Sequence, residues 1–243
     1  MLSRIIKNSL GSSPRVFDLV KAIGRRCGKS SGIYSGLKSQ IDSMGPFTFL
    51  QVGANDGLTN DPYREFMIRG LARGVAAEPV PEYFARLSAN YRGYKGVECL
   101  NAAIAYGSTS TCFFTFTPEY LDSLGGGLEL AGLAGFSREK LELVLPPDVS
   151  PSECIQEISV RTCTVEQVLE ERGMDGFDCI FMDCEGHELN ILQGMDFAKV
   201  KPRLIAYEHT HYPEGLSPID ELLESKGFSI QKYEFDAIAS RVA

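Results

Sequence analysis

The chain has 243 residues, 44% of them hydrophobic and 23% charged, which is long enough to bury a core unaided and balanced like a soluble globular protein. No run of 18 apolar residues occurs, so a membrane-spanning helix is not expected. The formal charge of -8 argues against a general nucleic-acid binder, which needs a basic surface for the phosphates.

The first 45 residues depart from that acidic balance. They hold eight Lys and Arg against two Asp, and RVFDLVKAIGRR places Val16, Leu19, Val20 and Ile23 at helical spacing. Residues 1–45 therefore read as a basic N-terminal helical arm. Three roles fit it: packing on the main domain or on a second copy in a homodimer, contact with a membrane surface or acidic partner, or a transit peptide.

From residue 46 strands and helices alternate. FTFLQVGAN is a strand closed by a glycine loop, and DPYREFMIRGLA reads as a helix. GVAAEPV and VECLNAAIA are further strands, separated by a helix in PEYFARLSANYRGY. TSTCFFTFT alternates like an exposed strand, and ISVRTC leads into a helix entered at Thr164. FDCIFMDCEG is a buried strand ending in acids, followed by a helix in HELNILQGM. RLIAYEHTH is another buried strand, and ELLESKGFSIQKYEF closes with a helix, a glycine stop and a strand that suits an antiparallel edge. Alternation of this kind specifies an α/β fold, a mostly parallel sheet covered by helices on both faces, over residues 46–243.

Residues 118–157 break the pattern with GGG, AGLAG and a proline-rich exit. Such a stretch is a lid, a substrate loop or a structureless insertion, and its recurring Leu and Phe favour a lid. The seven cysteines, Cys27, Cys99, Cys112, Cys154, Cys163, Cys179 and Cys184, form no CxxC pair and read as free thiols of a reducing compartment, so a cytoplasmic protein is expected.

Parallel sheets bind ligands beyond the carboxyl ends of their strands. The positions there are Gly53, Asn55 and Gly57, then Glu78, then Asn101, then Asp183, Glu185 and Gly186, then Glu208, His209 and His211. The first loop lacks GxGxxG, and Asp56 would repel a pyrophosphate but tolerate a positively charged ligand. Glu78, at the end of the next strand, is placed to accept both hydroxyls of a ribose. Loop and acid together point to a nucleoside-bearing ligand.

The segments FLQVGANDG, AAEP, LNAAIA, FMDCEGHELNILQGM and LIAYEH resemble the FkbM-type methyltransferases over roughly residues 47–235, with 118–157 poorly matched. The resemblance implies a seven-stranded Rossmann-like methyltransferase sheet, S-adenosylmethionine as methyl donor, and O-methylation of a small molecule or glycan. Carried over by position, Gly53, Asn55 and Gly57 cradle the methionine end of the donor, Glu78 holds the ribose, Asn101 and Ala102 lie near the adenine, and Asp183 sits closest to the methyl. Gln51 stands where the family more often has aspartate, at the donor's ammonium. An acceptor hydroxyl needs a base, and Asp183, Glu208 and His209 are the candidates, Asp183 first. Two other readings stay open. Asp183, Glu185, Glu208 and His209 are a possible divalent-metal set for a hydrolase, and a non-catalytic nucleoside-binding scaffold is the third. HELNI is not the zinc-protease HExxH, because position 191 is Ile.

Overall fold

The computed structural model describes residues 32–59, 61–107, 112–124, 133–209 and 217–242. The RVFDLVKAIGRR helix and His211 lie outside them. The strands in chain order are β1 (Phe47–Val52), β2 (Ala72–Ala77), β3 (Val97–Leu100), β4 (Ala103–Ile104), β5 (Cys112–Phe116), β6 (Ala134–Gly135), β7 (Ile155–Ser159), β8 (Thr162–Cys163), β9 (Cys179–Met182), β10 (Leu204–Glu208), β11 (Phe228–Lys232) and β12 (Asp236–Arg241).

Successive side chains of the central strands point into opposite cores, as the period of two requires. Leu50, Val52, Ile180, Met182, Ile205 and Tyr207 face one cluster, which the helices Val165–Arg172, Glu188–Gly194 and Pro218–Ser225 close with Val168, Leu169, Ile191, Leu192 and Leu223. Phe49, Cys179, Phe181, Leu204 and Ala206 face the other. There the helices Gly32–Met44 and Pro81–Asn90 contribute Ile33, Leu37, Ile41 and Leu87. Burial on both faces is why β9, CIFM, carries no polar residue; each such side chain contributes roughly 1.5–3 kcal/mol.

The seven-stranded sheet runs β11-β12-β10-β9-β1-β2-β3. Neighbours from β3 to β10 are parallel, and β12 is antiparallel to both β10 and β11. This is the Rossmann-like methyltransferase sheet expected from the sequence. The strand in FSIQK, β11, is the edge and pairs antiparallel with its neighbour, as expected; not foreseen was that this neighbour is a further strand, DAIASR, which enters between β10 and β11. Strand order reverses between β9 and β1, so the ends of these two strands flank the crevice where ligands bind.

The expected helix over residues 61–72 is one turn, Arg64–Met67, because β2 begins at Ala72 and the chain must turn at Gly70 to reach it. The helix at Thr164 has the full capping box with Gln167 and ends at Gly173 in the left-handed conformation. Of residues 118–157, the described parts hold the helices Pro118–Ser123, Arg138–Glu142 and Pro151–Cys154 together with β6 and the start of β7. β5 pairs antiparallel with β6 and β7 in a separate three-stranded sheet, which seats Phe113 against Val80, Tyr83 and Ala103 at the end of β2. The six described cysteines are free thiols, and no described helix is long and apolar enough to cross a membrane.

Candidate functional site

The loop after β1 is held by bonds that leave little freedom. Gly53 and Ala54 donate to the Ala77 carbonyl at 3.1 and 3.0 Å. Gly53 has φ +75°, and a Cβ there would lie 1.8 Å from the Asp183 carbonyl oxygen, so only glycine lets β1 and β9 end side by side. Asp56 folds back on its own turn, its Oδ1 accepting the Leu58 and Thr59 N–H groups at 2.8 and 2.7 Å. Arg64, 1% exposed, donates to the Gly57 carbonyl at 2.7 Å and the Asn90 carbonyl at 3.1 Å. Its guanidinium stacks on Tyr91 and Tyr94, 4.5 and 5.2 Å from the ring centroids. The sequence reading missed Arg64 because a lone arginine in a helical stretch looks like surface.

Glu78 projects from the end of β2 and is 5% exposed. One carboxyl oxygen accepts the Asn55 N–H and the other the Val80 N–H, both at 2.8 Å. Burial raises its pKa to about 7, against the pull of those two bonds. Asn101 does not line the cleft; its amide donates to the carbonyls of Glu78 and Pro79 at 2.8 and 3.0 Å and so fixes the backbone from which Glu78 projects. Ala102 does line it.

Gln51 is the one polar residue of β1 facing the crevice floor. It is 4% exposed, donates through Nε2 to Asp61 at 3.2 Å, and leaves its carbonyl oxygen without a hydrogen bond among the described residues. Asp61 accepts the Tyr63 and Arg64 N–H groups through its other oxygen. Tyr63 stacks on Phe181 at 4.6 Å, and its buried hydroxyl is likewise without a partner among the described residues. All three line the cleft.

At the end of β9 the Asp183 side chain faces the open cleft, while protein surrounds it on the other sides. The lost solvation, and then the charges of Glu208, Glu185, Glu188 and Asp236, raise its pKa to about 8. Glu185 and His187 line the same wall. Glu188, fully buried, accepts the Cys184 N–H at 2.9 Å and fixes this turn. Glu208 acts on Asp183 through its charge but does not line the cleft. His209 is tied to the far side, its Nε2 2.9 Å from the Tyr233 carbonyl oxygen. Asp183, Glu185, Glu208 and His209 are thus not brought together as ligands, and among the described residues no three His, Cys, Asp or Glu side chains converge as a metal set.

These walls enclose a cavity of about 230 Å³, roofed by Phe113 and Ala134 of the small sheet and by Phe136 just after β6. It offers a glycine loop, one buried acid at the end of β2, a carbonyl oxygen on its floor and an acid at the end of β9. Of the residues expected from the sequence, Gly53, Asn55, Glu78, Ala102 and Asp183 line it; Gly57, Asn101, Glu208 and His209 stand behind or beside it. The aromatic roof was not foreseen, since pairing between β5 and β7 joins segments about 45 residues apart.

A family model described as the methyltransferase FkbM domain matches residues 51–230. The chain belongs to this family. Its glycine loop, Glu78 and Asp183 all lie within the matched span, and FkbM membership makes the chain a methyltransferase of the S-adenosylmethionine-dependent class. A search of curated proteins finds no match. Among solved structures, the methyltransferase FkbM of Methylobacillus flagellatus KT is similar at 13% identity and TM-score 0.46, over 79% of this chain and 43% of that one. A methyltransferase from Geobacter sulfurreducens is similar at 11% identity and TM-score 0.48, over 100% of this chain and 96% of that one. The precorrin-6y C5,15-methyltransferase of Geobacter metallireducens GS-15 is similar at 15% identity and TM-score 0.44, over 86% and 88%. At these values the three carry no argument about what this FkbM chain acts on.

Proposed function

We propose that the cleft binds S-adenosylmethionine and that the protein directs its methyl group to a hydroxyl oxygen. The observation that carries this reading is Glu78, buried at the end of β2 with its carboxyl group oriented by two backbone N–H groups beside the glycine loop. Each carboxyl oxygen keeps a lone pair for a ribose hydroxyl. The unpartnered Gln51 oxygen, with the Asp61 carboxylate behind it, suits the donor's ammonium. Gly53 and Ala54 give the backbone room for the methionine chain, and Ala102, Tyr83 and Phe113 supply apolar walls for the base.

The donor, when bound, supplies a methyl on a cationic sulfur. What this chain contributes is placement. Aligning an acceptor oxygen with the methyl is worth up to ~7–11 kcal/mol, and Glu78, Gln51 and Asp183 grip the donor at three separate points. A carboxylate at Asp183 faces positive charge that vanishes during transfer, so it favours binding more than the chemical step. Calorimetric titration with S-adenosylmethionine tests the reading: the intact chain binds it, and Asp183→Asn weakens that affinity several-fold. An intact chain without affinity for the donor overturns it.

A further inference from the structure

A second cavity of about 540 Å³ adjoins the first and is made largely of apolar side chains: Leu133, Phe136, Leu141, Leu143 and Val144. Phe136, Glu185 and His187 belong to both cavities, so the two meet along one shared wall. At that wall the rings of Phe136 and His187 pack with centroids 4.6 Å apart. His187 Nε2 is buried and has no hydrogen-bond partner among the described residues. Leu143 and Val144, at 84% and 44% exposed, leave an apolar rim at the surface.

The wall of this second cavity does not suit a sugar. A molecule with many hydroxyls would leave most of them unpaired against Leu and Val, at roughly 1–3 kcal/mol each. An apolar body gains by the same contact, and the volume is that of an ordinary small-molecule site. The polar groups gather at the shared wall. Lys140 is engaged there, its Nζ donating to the Glu185 carbonyl at 3.0 Å. His187 has Asn190, Glu188 and Lys140 about it, and Asp183 and Glu185 across the wall; burial lowers its pKa, which keeps the ring neutral at pH 7 with one nitrogen free to accept a proton.

We propose that this second cavity holds the methyl acceptor, that the acceptor is a predominantly apolar molecule bearing a hydroxyl, and that His187 Nε2 receives the hydroxyl proton. The proposal rests on the donor reading above and moves the proton acceptor from Asp183, where the sequence places it, to His187. In the step, the hydroxyl oxygen forms a bond to the methyl carbon as the carbon–sulfur bond breaks. The electron pair of that bond stays on sulfur, which becomes a neutral thioether. The proton passes from oxygen to His187 Nε2, and the imidazolium returns it to water.

The test uses the full chain, tritiated S-adenosylmethionine, and two acceptor series: 4-alkylphenols with primary alcohols of six to twelve carbons, and methyl glycosides. Label is expected in the first series, with KM falling roughly four-fold per added methylene over the shorter members. His187→Gln is expected to cut turnover at least 100-fold, to remove the acidic limb of the pH–rate profile, and to leave calorimetric donor affinity within three-fold and the melting temperature near the unsubstituted value. Leu143→Asp, on the rim and clear of the donor cleft, is expected to raise KM for the alcohols alone. Saturation-transfer NMR with 4-octylphenol and the S-adenosylhomocysteine-loaded protein gives a readout independent of turnover, with a signal that Leu143→Asp weakens. Label confined to glycosides, turnover within three-fold in His187→Gln, or no 4-octylphenol signal at 1 mM overturns the proposal while donor binding persists. Absence of donor binding instead removes the underlying reading.

Discussion

Glu78 accepts the backbone N–H of Asn55 at 2.8 Å, which ties the end of β2 to the loop that leaves β1. The same carboxyl group therefore shapes the donor cleft and faces into it. Glu78→Ala is expected to lower S-adenosylmethionine affinity 10–100-fold, the range of one charge-assisted hydrogen bond and part of a second. Far-UV circular dichroism should be unchanged. Calorimetric affinity within two-fold of the unsubstituted protein would reject the ribose assignment.

The raised acids give stability an unusual pH dependence. Glu78 at about 7 and Asp183 at about 8 hold protons in the folded chain that the unfolded chain has released, so their stabilisation is complete near pH 4 and lost as pH rises through those values. His187, lowered, acts oppositely, but only below its ordinary value of 6.5. Between pH 6.5 and 8.5 urea unfolding should show stability falling by about 1 kcal/mol, the tail of the Glu78 loss together with a share from Asp183 that solvent in the cleft reduces. Saturating S-adenosylmethionine should flatten the decline. A rise across that window would contradict the assignment.

Gln51 separates recognition of the ammonium from recognition of the nucleoside. Gln51→Leu removes an amide whose carbonyl oxygen has no bond among the described residues and whose Nε2 donates to Asp61, so the melting temperature should fall by a few degrees. Affinity for S-adenosylmethionine should drop about 10-fold, the worth of one hydrogen bond to a charged group. Affinity for 5′-methylthioadenosine, which lacks the ammonium, should stay the same in both proteins, and an equal loss for both ligands would place the ammonium elsewhere.

Arg64→Met keeps the bulk but removes donors to the Gly57 and Asn90 carbonyls. Two buried carbonyls left unpaired, with the stacking on Tyr91 and Tyr94 lost, should cost about 2–4 kcal/mol in urea unfolding. Donor affinity should fall as well, because the glycine loop loses its tether. A variant as stable as the parent would show the cation to be dispensable.

Gly53→Ala is the severest single change foreseen. Its Cβ would overlap the Asp183 carbonyl at 1.8 Å with φ at +75°, so β1 and β9 must part. Loss of donor binding together with a lowered melting temperature is the expected result by calorimetry and thermal scanning. Gly70→Ala, where nothing lies within 4 Å, carries only the backbone strain of φ +78° and is the control.

The sheet was legible because both its faces are buried: FTFLQV, CIFM and LIAYE are nearly unbroken apolar runs that only a covered parallel strand explains. The strand-end residues followed from the sheet alone. Residues 32–44 were harder, since Ile33, Leu37 and Ile41 at four-residue spacing were submerged in a basic stretch and read with it. The small sheet was hidden because β6 has two residues and its partner β5 was read without a neighbour. His187 was overshadowed by the acids around it, and only the cavity wall distinguishes it from a surface histidine.

The placement of β12 constrains how the molecule comes into being. β11 precedes it along the chain, yet lies outside it and touches the rest of the sheet only through it. A nascent polypeptide that has exposed β10 and β11 but not DAIASR therefore has two unjoined ledges, with Leu204, Ala206 and Tyr207 awaiting a partner. Assembly of this half must wait for a segment synthesised some thirty residues after β10, whereas the half from β1 to β3 closes by neighbouring crossovers.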